Sequence, residues 1–181
     1  MSYNNNWLID KMKQGEKIRF LFFWGHQPSK DGSIGQSCFS QWWVAPFKVD
    51  GIVYKTAEHW MMAGKARLFN DENMLEQILE AITPADAKKK GRLIKGFDPL
   101  CWDTHKYGLV VTGNEYKFNQ NQKLKEFLLK TNDSVLVEAS PVDKIWGIGL
   151  AIDSPVIGDP LQWKGENLLG YALMEVRDKL K

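Results

Sequence analysis

Glu58 and Lys65 are two residues of opposite charge that stand seven positions apart in a segment of helical character. At about 100° per residue, side chains with this spacing lie on nearly the same helix face, roughly 10 Å apart along the axis. A carboxylate near the start of a helix and an ammonium deeper on the same face can grip the two ends of a polar ligand. The alternative is a solvated acid and a surface lysine, and spacing alone favours that alternative because exposed charges are common.

A second group of residues lies in a long Gly/Pro-rich segment after a predicted strand. Asp143, Trp146 and Gly147 together can form a tight backbone turn that presents a carboxylate and a flat ring. Loops that a scaffold positions often carry function, whereas the alternative is a structural turn with a buried Trp. Farther along, Asn167 stands at the start of a predicted helix, where it can act either as a cap or as a contact for an anionic ligand.

A cation and an aromatic ring stand ten residues apart at Arg92 and Trp102. A cation for a phosphate and a ring for a base are the parts that a nucleotide site needs. The sequence holds 8 Trp in 181 residues, several times the usual share. Such rings either stack on a flat ligand or fill the core. The lysines just before Arg92 are also typical of a solvated helix face.

Composition limits the classes of protein that the chain can represent. Hydrophobic residues make up 44% and charged residues 25%, which is typical of a globular domain. The net charge of +2 is not the basic excess of a protein that binds mainly through phosphate backbones. The chain has no CxxC pair and no histidine spacing typical of metal ligands, so we expect neither a metal nor a disulfide scaffold.

The chain also lacks the sequence features of membrane and secreted proteins. No apolar run approaches the ~18 residues that a membrane span needs. Residues 1–17 are polar and contain no signal-peptide core. These features, with only two cysteines, predict a cytoplasmic protein that has no membrane partner.

Several segments have the composition and end signals of regular elements. Strands are predicted at Ile18–Trp24, at Trp42–Val49 with an interruption at Pro46, at Ile52–Tyr54 and at Val135–Glu138, with a hairpin turn at Asp50-Gly51. Helices are predicted at about 56–69, 75–82, 83–92, 98–118, 124–128 and 167–180. Gly108 and Gly113 weaken the fourth helix, and the NQNQ run at 119–122 ends it. The elements predict an α+β fold, a mostly helical single domain with a small sheet or hairpin. A polar extension, residues 1–17, precedes this domain of residues 18–181.

Collinear motifs over about Ile18–Lys181 resemble the NADAR domain, the YbiA-like family. In chain order the matching segments are Phe39-Ser40, Pro46–Gly51, Thr56–Trp60, Lys65, Gly91-Arg92, Pro99-Leu100, Trp102, Asp143, Trp146-Gly147, Gly165–Gly170 and Leu173–Arg177. The chain differs from the family pattern at Gln41 and Ala57, where the family has Asn and Ser, and segment 25–37 is longer than in short bacterial members. These differences leave the substrate open.

The resemblance implies an N-glycosidase that acts on a ribose joined to nitrogen and uses no cofactor. Members of the family act on phosphorylated ribosylamino-pyrimidine intermediates of riboflavin biosynthesis, or remove ADP-ribose from the amino group of guanine in DNA or RNA. The resemblance assigns catalysis to Glu58, Lys65 and Asp143. It assigns substrate binding to Trp102, Trp146, Gly147, Arg92 and Asn167.

The implied chemistry fits these residue types. Cleavage of a glycosidic C–N bond builds positive charge at the anomeric carbon, which a carboxylate stabilises while an acid or base moves protons. Glu58 and Asp143 can divide those tasks. Lys65 has two possible roles: to hold a phosphate or orient a carboxylate, or to attack an opened ribose as a Schiff-base nucleophile. Two other classes stay open, a non-catalytic module that binds ADP-ribose or a nucleotide, and an interaction domain whose Trp residues only fill the core.

Overall fold

A computed structural model describes residues 2–181 of the chain, and its contacts divide the chain into two compact units. The terminal unit contains the chain up to Ser40 together with Lys123–Lys181, and the central unit is Gln41–Gln122. Within residues 2–181 there are seven α-helices and four short strands. The α+β class predicted from the sequence, mostly helical with a small sheet, is therefore confirmed.

The terminal unit is built around a pair of parallel strands. Strand β1 (Phe20–Phe23) pairs with β4 (Val135–Glu138). Both strands were predicted, and the aromatic and β-branched side chains of these segments explain the pairing. Helix α7 (Leu168–Leu180) packs on β4 and buries most of its residues. Helix α6 (Gln122–Leu129) and two short 3-10 turns, Gln36–Phe39 and Pro160–Gln162, lie in the connections.

The polar extension contains a helix that sequence reasoning missed. Helix α1 (Asn5–Lys13) begins after Asn4, whose side chain accepts a hydrogen bond from the backbone of Trp7 at 2.8 Å. The Asn5 side chain accepts from the Tyr171 hydroxyl at 2.8 Å and donates to the Gly165 carbonyl at 3.1 Å. These bonds attach the extension to the start of α7, so α1 is an integral part of the terminal unit.

The central unit places a hairpin before four helices. Strands β2 (Phe47–Val49) and β3 (Ile52–Tyr54) are antiparallel, and the turn residues Asp50 and Gly51 both have positive φ, as a type I′ turn requires. The strand predicted to begin at Trp42 begins only at Phe47, because Pro46 has no N–H to donate to a ladder. The helices are α2 (Ala57–Leu68), α3 (Glu72–Glu80), α4 (Pro84–Gly91) and α5 (Pro99–Gln120).

Helix α5 is continuous for 22 residues in spite of its internal glycines. A side chain at Gly113 would overlap the ring of Trp60, whose indole N–H donates to the Leu109 carbonyl at 2.9 Å. The close contact between α2 and α5 therefore offsets the weak helix propensity of glycine. The helix ends within the NQNQ run as predicted. No helix among residues 2–181 has the length and apolar character needed to cross a bilayer.

Candidate functional site

The amine of Lys65 lies among aromatic rings in the central unit. Its Nζ is 4.0 Å from the centroid of the Phe97 ring and 5.5 Å from that of Trp102. The same nitrogen donates a hydrogen bond to the Gly91 carbonyl at 2.9 Å. The amine thus contacts the end of α4, the segment that precedes α5 and the first turn of α5, so two of the predicted site residues, Lys65 and Trp102, lie together.

The surroundings of the Lys65 amine change its acidity. The side chain is half-buried, and this burial lowers the pKa of the ammonium because a charged group loses favourable hydration. Gly91 makes this position available, since a side chain there would overlap the sulfur of Met62 on α2. The resulting close approach of α4 to α2 brings the Gly91 carbonyl within reach of the amine.

Glu58 lies in the first turn of α2, two turns before Lys65, and is only 4% exposed. Its backbone N–H donates to the Gln41 carbonyl at 3.0 Å, which fixes this turn within the central unit. A carboxylate at this end of a helix is favoured by the free N–H groups of the first turn. Burial contradicts the alternative interpretation of Glu58 as a solvated surface acid.

The turn that carries Glu58 is braced by its neighbours Thr56 and His59. The Thr56 hydroxyl lies 2.8 Å from Nδ1 of His59, and Nε2 of the same ring lies 3.1 Å from the Ala81 carbonyl. A neutral ring that donates from Nε2 and accepts at Nδ1 satisfies both contacts. Burial lowers the pKa of His59, which favours that neutral form. His59 therefore stabilises the start of α2 through its contacts within the central unit.

Trp102 and Arg92 occupy different environments in the central unit. Trp102 lies in the first turns of α5 and is partly buried beside the Lys65 amine. Arg92 caps the end of α4 through its backbone, and its side chain is exposed. Trp102 is therefore placed to contact a ligand that reaches the Lys65 amine, and the Arg92 side chain faces solvent.

In the terminal unit, Asp143 organises the turn that the sequence predicted. Its Oδ1 accepts hydrogen bonds from the backbone N–H groups of Ile145 at 2.9 Å and Trp146 at 2.8 Å. Its own N–H donates to the Ser140 hydroxyl at 3.2 Å, and its carbonyl accepts from Gly149 at 3.1 Å. The carboxylate is partly buried and holds the backbone of Trp146 in place.

Gly147 and Asn167 join this turn to the sheet of the terminal unit. A side chain at Gly147 would press against the Glu138 carbonyl and Ser140. Asn167 is completely buried, and its amide accepts from the Glu138 N–H at 3.0 Å and donates to the Leu136 carbonyl at 2.9 Å. Its N–H donates to the Gly147 carbonyl at 3.2 Å. Gly147 and Asn167 therefore connect the turn to the backbone of β4.

Two neighbours of the Lys65 amine were missed as site residues by sequence reasoning. Phe97 is the ring closest to the amine, yet an aromatic residue in a loop carries no chemical signal of its own. Gly91 contributes only a carbonyl, which every residue has. Their positions follow from helix packing and have no local pattern that would identify them.

Metal ligation has no candidate among the described residues. Across residues 2–181, His, Cys, Asp and Glu side chains do not form a group of three that could hold a metal ion.

Comparison with known proteins supports the sequence resemblance. The model of the NADAR domain matches residues 22–181. The chain is 40% identical over 169 residues to an N-glycosidase, R617, of Acanthamoeba polyphaga mimivirus, covering 91% of this chain and 98% of that protein. It is 35% identical over 144 residues to the N-glycosidase YbiA of Escherichia coli K12, covering 78% of this chain and 80% of that protein. An NMR structure of the E. coli protein YbiA superposes with a TM-score of 0.69 at 30% identity, covering 91% of this chain and 87% of that one.

The chain belongs to the NADAR domain family. The match to the family begins two residues after the start of β1 and includes every residue assigned to the site from the resemblance. Helix α1 lies before the matched region.

Proposed function

We propose that this protein is an N-glycosidase that hydrolyses a bond between a ribose and nitrogen. Its family and the names of two relatives support this activity. The observation that carries the proposal is the half-buried amine of Lys65 beside Phe97 and Trp102, on the same helix as the buried carboxylate of Glu58. Groups with perturbed pKa values cluster at catalytic sites, and burial lowers the pKa of Lys65.

In the proposed reaction, the oxygen of water bonds to the anomeric carbon as the C–N bond breaks. One proton of that water ends on the leaving nitrogen. Positive charge develops on the ribose as the bond breaks, as in other glycosidic cleavages. Glu58 stabilises this charge and transfers a proton, which are the roles that a positioned carboxylate performs best.

Lys65 can take part in either of two ways. In a covalent route, Nζ bonds to the anomeric carbon of the opened ribose, the base leaves with a proton on its nitrogen, and water then cleaves the Lys65 imine to return the amine and the sugar. This route needs a neutral amine, and burial of Lys65 favours that form. In the other route, the ammonium holds a phosphate or orients a carboxylate.

The terminal unit contributes further proposed residues. We assign Asp143 the second carboxylate role, Trp146 the stacking or shielding of the base, and Gly147 and Asn167 binding roles through the turn that they stabilise. The hydrogen bonds of Asp143 support a fixed position for its carboxylate. In the central unit, we assign Trp102 the stacking of a base and Arg92 the binding of a phosphate.

Two substrates fit this chemistry: ADP-ribose on the guanine amino group of DNA or RNA, and a phosphorylated ribosylamino-pyrimidine. Both contain a ribose joined to nitrogen, a flat base and phosphate. The decisive experiment is mass spectrometry of the products after separate incubation with each substrate. We expect a released base and a free sugar phosphate or ADP-ribose from one of them.

The matched control for this experiment is Glu58→Gln, which keeps the size of the side chain and removes its charge. We expect this variant to fold normally and to release product at a rate lower by roughly 10²–10⁴-fold. Rates like those of the wild type would remove Glu58 from the mechanism. Tight binding of both substrates with no product over hours would replace the proposal with a non-catalytic nucleotide-binding module.

A separate measurement distinguishes the two roles of Lys65. Borohydride added during turnover reduces an imine to a stable amine, so the covalent route predicts a mass increase on the peptide that contains Lys65. Turnover without such an adduct would contradict the covalent route. The role of Lys65 would then be to hold a phosphate or to orient a carboxylate.

A further inference from the structure

A cavity of about 460 Å³ lies in the terminal unit, lined by residues of α1, by the chain that enters β1, and by the last turns of α7. None of the residues assigned to the glycosidase reaction lines it. Its wall contains five basic side chains against three acidic ones. The basic residues are Lys11, Lys17, Arg19, Arg177 and Lys181.

The acidic side chains of the cavity compensate only some of these cations. Glu16 pairs with Lys11 at 2.7 Å, and Asp178 pairs with Lys181 at 3.1 Å. Lys17 and Arg19 are exposed, and neither forms an ion pair with a carboxylate among residues 2–181. Positive charge is therefore concentrated at this wall of a chain whose net charge is only +2.

Arg177 adds a buried cation to the same cavity. Its side chain is 3% exposed, and its Nη1 donates to the Thr131 hydroxyl at 2.9 Å and to the Ser134 carbonyl at 2.8 Å. Both acceptors are neutral, and Nε has no acceptor among the described residues. A guanidinium stays charged in proteins, and burial of that charge is costly. The carboxylates of Asp178 and Asp133 offset part of this cost through space, and an anion in the cavity would offset more.

We propose that this cavity is a second ligand site, which binds a compact phosphate anion of the pyrophosphate class. The five cations and three carboxylates of the wall leave a surplus of two positive charges, which matches the two or three negative charges of such an anion better than the single charge of a carboxylate. Guanidinium groups suit phosphate because their planar donors fit its oxygens. The cavity has the volume of a typical small-ligand site. This site does not depend on the proposed glycosidase activity.

The test is calorimetric titration of the full chain with inorganic pyrophosphate at low ionic strength. The variant is the double substitution Lys17→Ala and Arg19→Ala, which removes two exposed side chains and which we expect to keep the circular dichroism spectrum of the wild type. We expect it to weaken pyrophosphate binding at least tenfold. The matched control is Lys13→Ala, an exposed lysine of α1 outside the cavity, which we expect to bind like the wild type.

Further arms of the titration distinguish the source of the phosphate. ADP should bind with an affinity similar to that of pyrophosphate and should compete with it. Binding of single-stranded oligonucleotide without binding of pyrophosphate would overturn the proposal, as would binding that the double variant leaves unchanged. Glu58→Gln should bind pyrophosphate through this cavity even if it releases no base. The binding result can therefore be interpreted even if the glycosidase proposal fails.

Discussion

The two units fix their proposed functional side chains in different ways. The contacts of the Lys65 amine come from residues 26, 32 and 37 positions farther along the chain, namely Gly91, Phe97 and Trp102. The Asp143 carboxylate accepts from the backbone N–H groups of Ile145 and Trp146, which lie within three positions of it. The amine is therefore placed by the packing of helices, and the acid by its own turn.

This difference determines how each side chain can be altered. A short-range turn keeps its geometry as long as one oxygen at position 143 accepts its two backbone N–H groups. The amine depends on burial for its lowered pKa, and burial depends on several distant residues at once. Substitutions around Lys65 should therefore change reactivity, whereas those around Asp143 and Asn167 should change stability first.

Loss of the amine should have the largest effect. We expect Lys65→Met, which keeps the apolar stem of the side chain, to lower turnover by roughly 10²–10⁴-fold. The measurement is the rate of base release from the substrate identified by mass spectrometry. Lys89→Met, an exposed lysine of α4, is the control and should keep the wild-type rate. A change of less than a few-fold in Lys65→Met would show that the amine has no part in the reaction.

The next largest effect is expected in the terminal unit, at Asn167. Asn167→Ala removes the side-chain partners of two backbone groups of β4, one buried and one partly buried, and puts alanine at a φ of +54°. We expect the free energy of unfolding to fall by about 2–4 kcal/mol in urea titration. Asn167→Gly loses the same hydrogen bonds, but glycine adopts a positive φ without strain. The free energy of unfolding should therefore fall less in this variant than in Asn167→Ala. Equal losses in both variants would show that backbone strain is unimportant here.

A smaller loss of stability is expected at Asp143, where two substitutions separate geometry from charge. Asp143→Ala removes the acceptor of the turn and should lower the free energy of unfolding by about 1–2 kcal/mol. Asp143→Asn keeps an oxygen at the same position and should unfold like the wild type. If the charge takes part in the reaction, as proposed, turnover should nevertheless fall in Asp143→Asn. Normal turnover in that variant would limit Asp143 to a structural role.

The smallest effect is expected from Phe97, which touches the amine without chemistry of its own. Phe97→Ala exposes the Lys65 amine to water, so its pKa should rise toward the ordinary value. If the neutral amine attacks the sugar, the rising limb of the pH–rate profile should move to higher pH, with a rate at neutral pH a few-fold lower. The control is Phe69→Leu, which removes a ring that contacts Phe97. This variant should keep the pH–rate profile of the wild type. An unchanged profile in Phe97→Ala would show that this ring does not set the reactivity.

Much of the fold was predictable because its signals are local. Thr56, Thr83 and Asp98 cap the helices that they were expected to begin, and Asp50-Gly51 forms the expected hairpin turn. The predicted strand from Trp42 was wrong over its first five residues. Helix α1 was missed because its exposed faces are polar and only Leu8 is fully buried, so the segment has no apolar stripe.

For the candidate site, the sequence by itself determined which side chains have suitable chemistry and, through the order of the motifs, the family. It also determined the turn at Asp143, because that turn needs only residues within a few positions of one another. Only the tertiary structure decided that Glu58 is buried, that Lys65 lies against Phe97 and that Gly91 supplies an acceptor to its amine. Burial and distant contacts depend on which helix faces meet, and no short stretch of sequence contains that information.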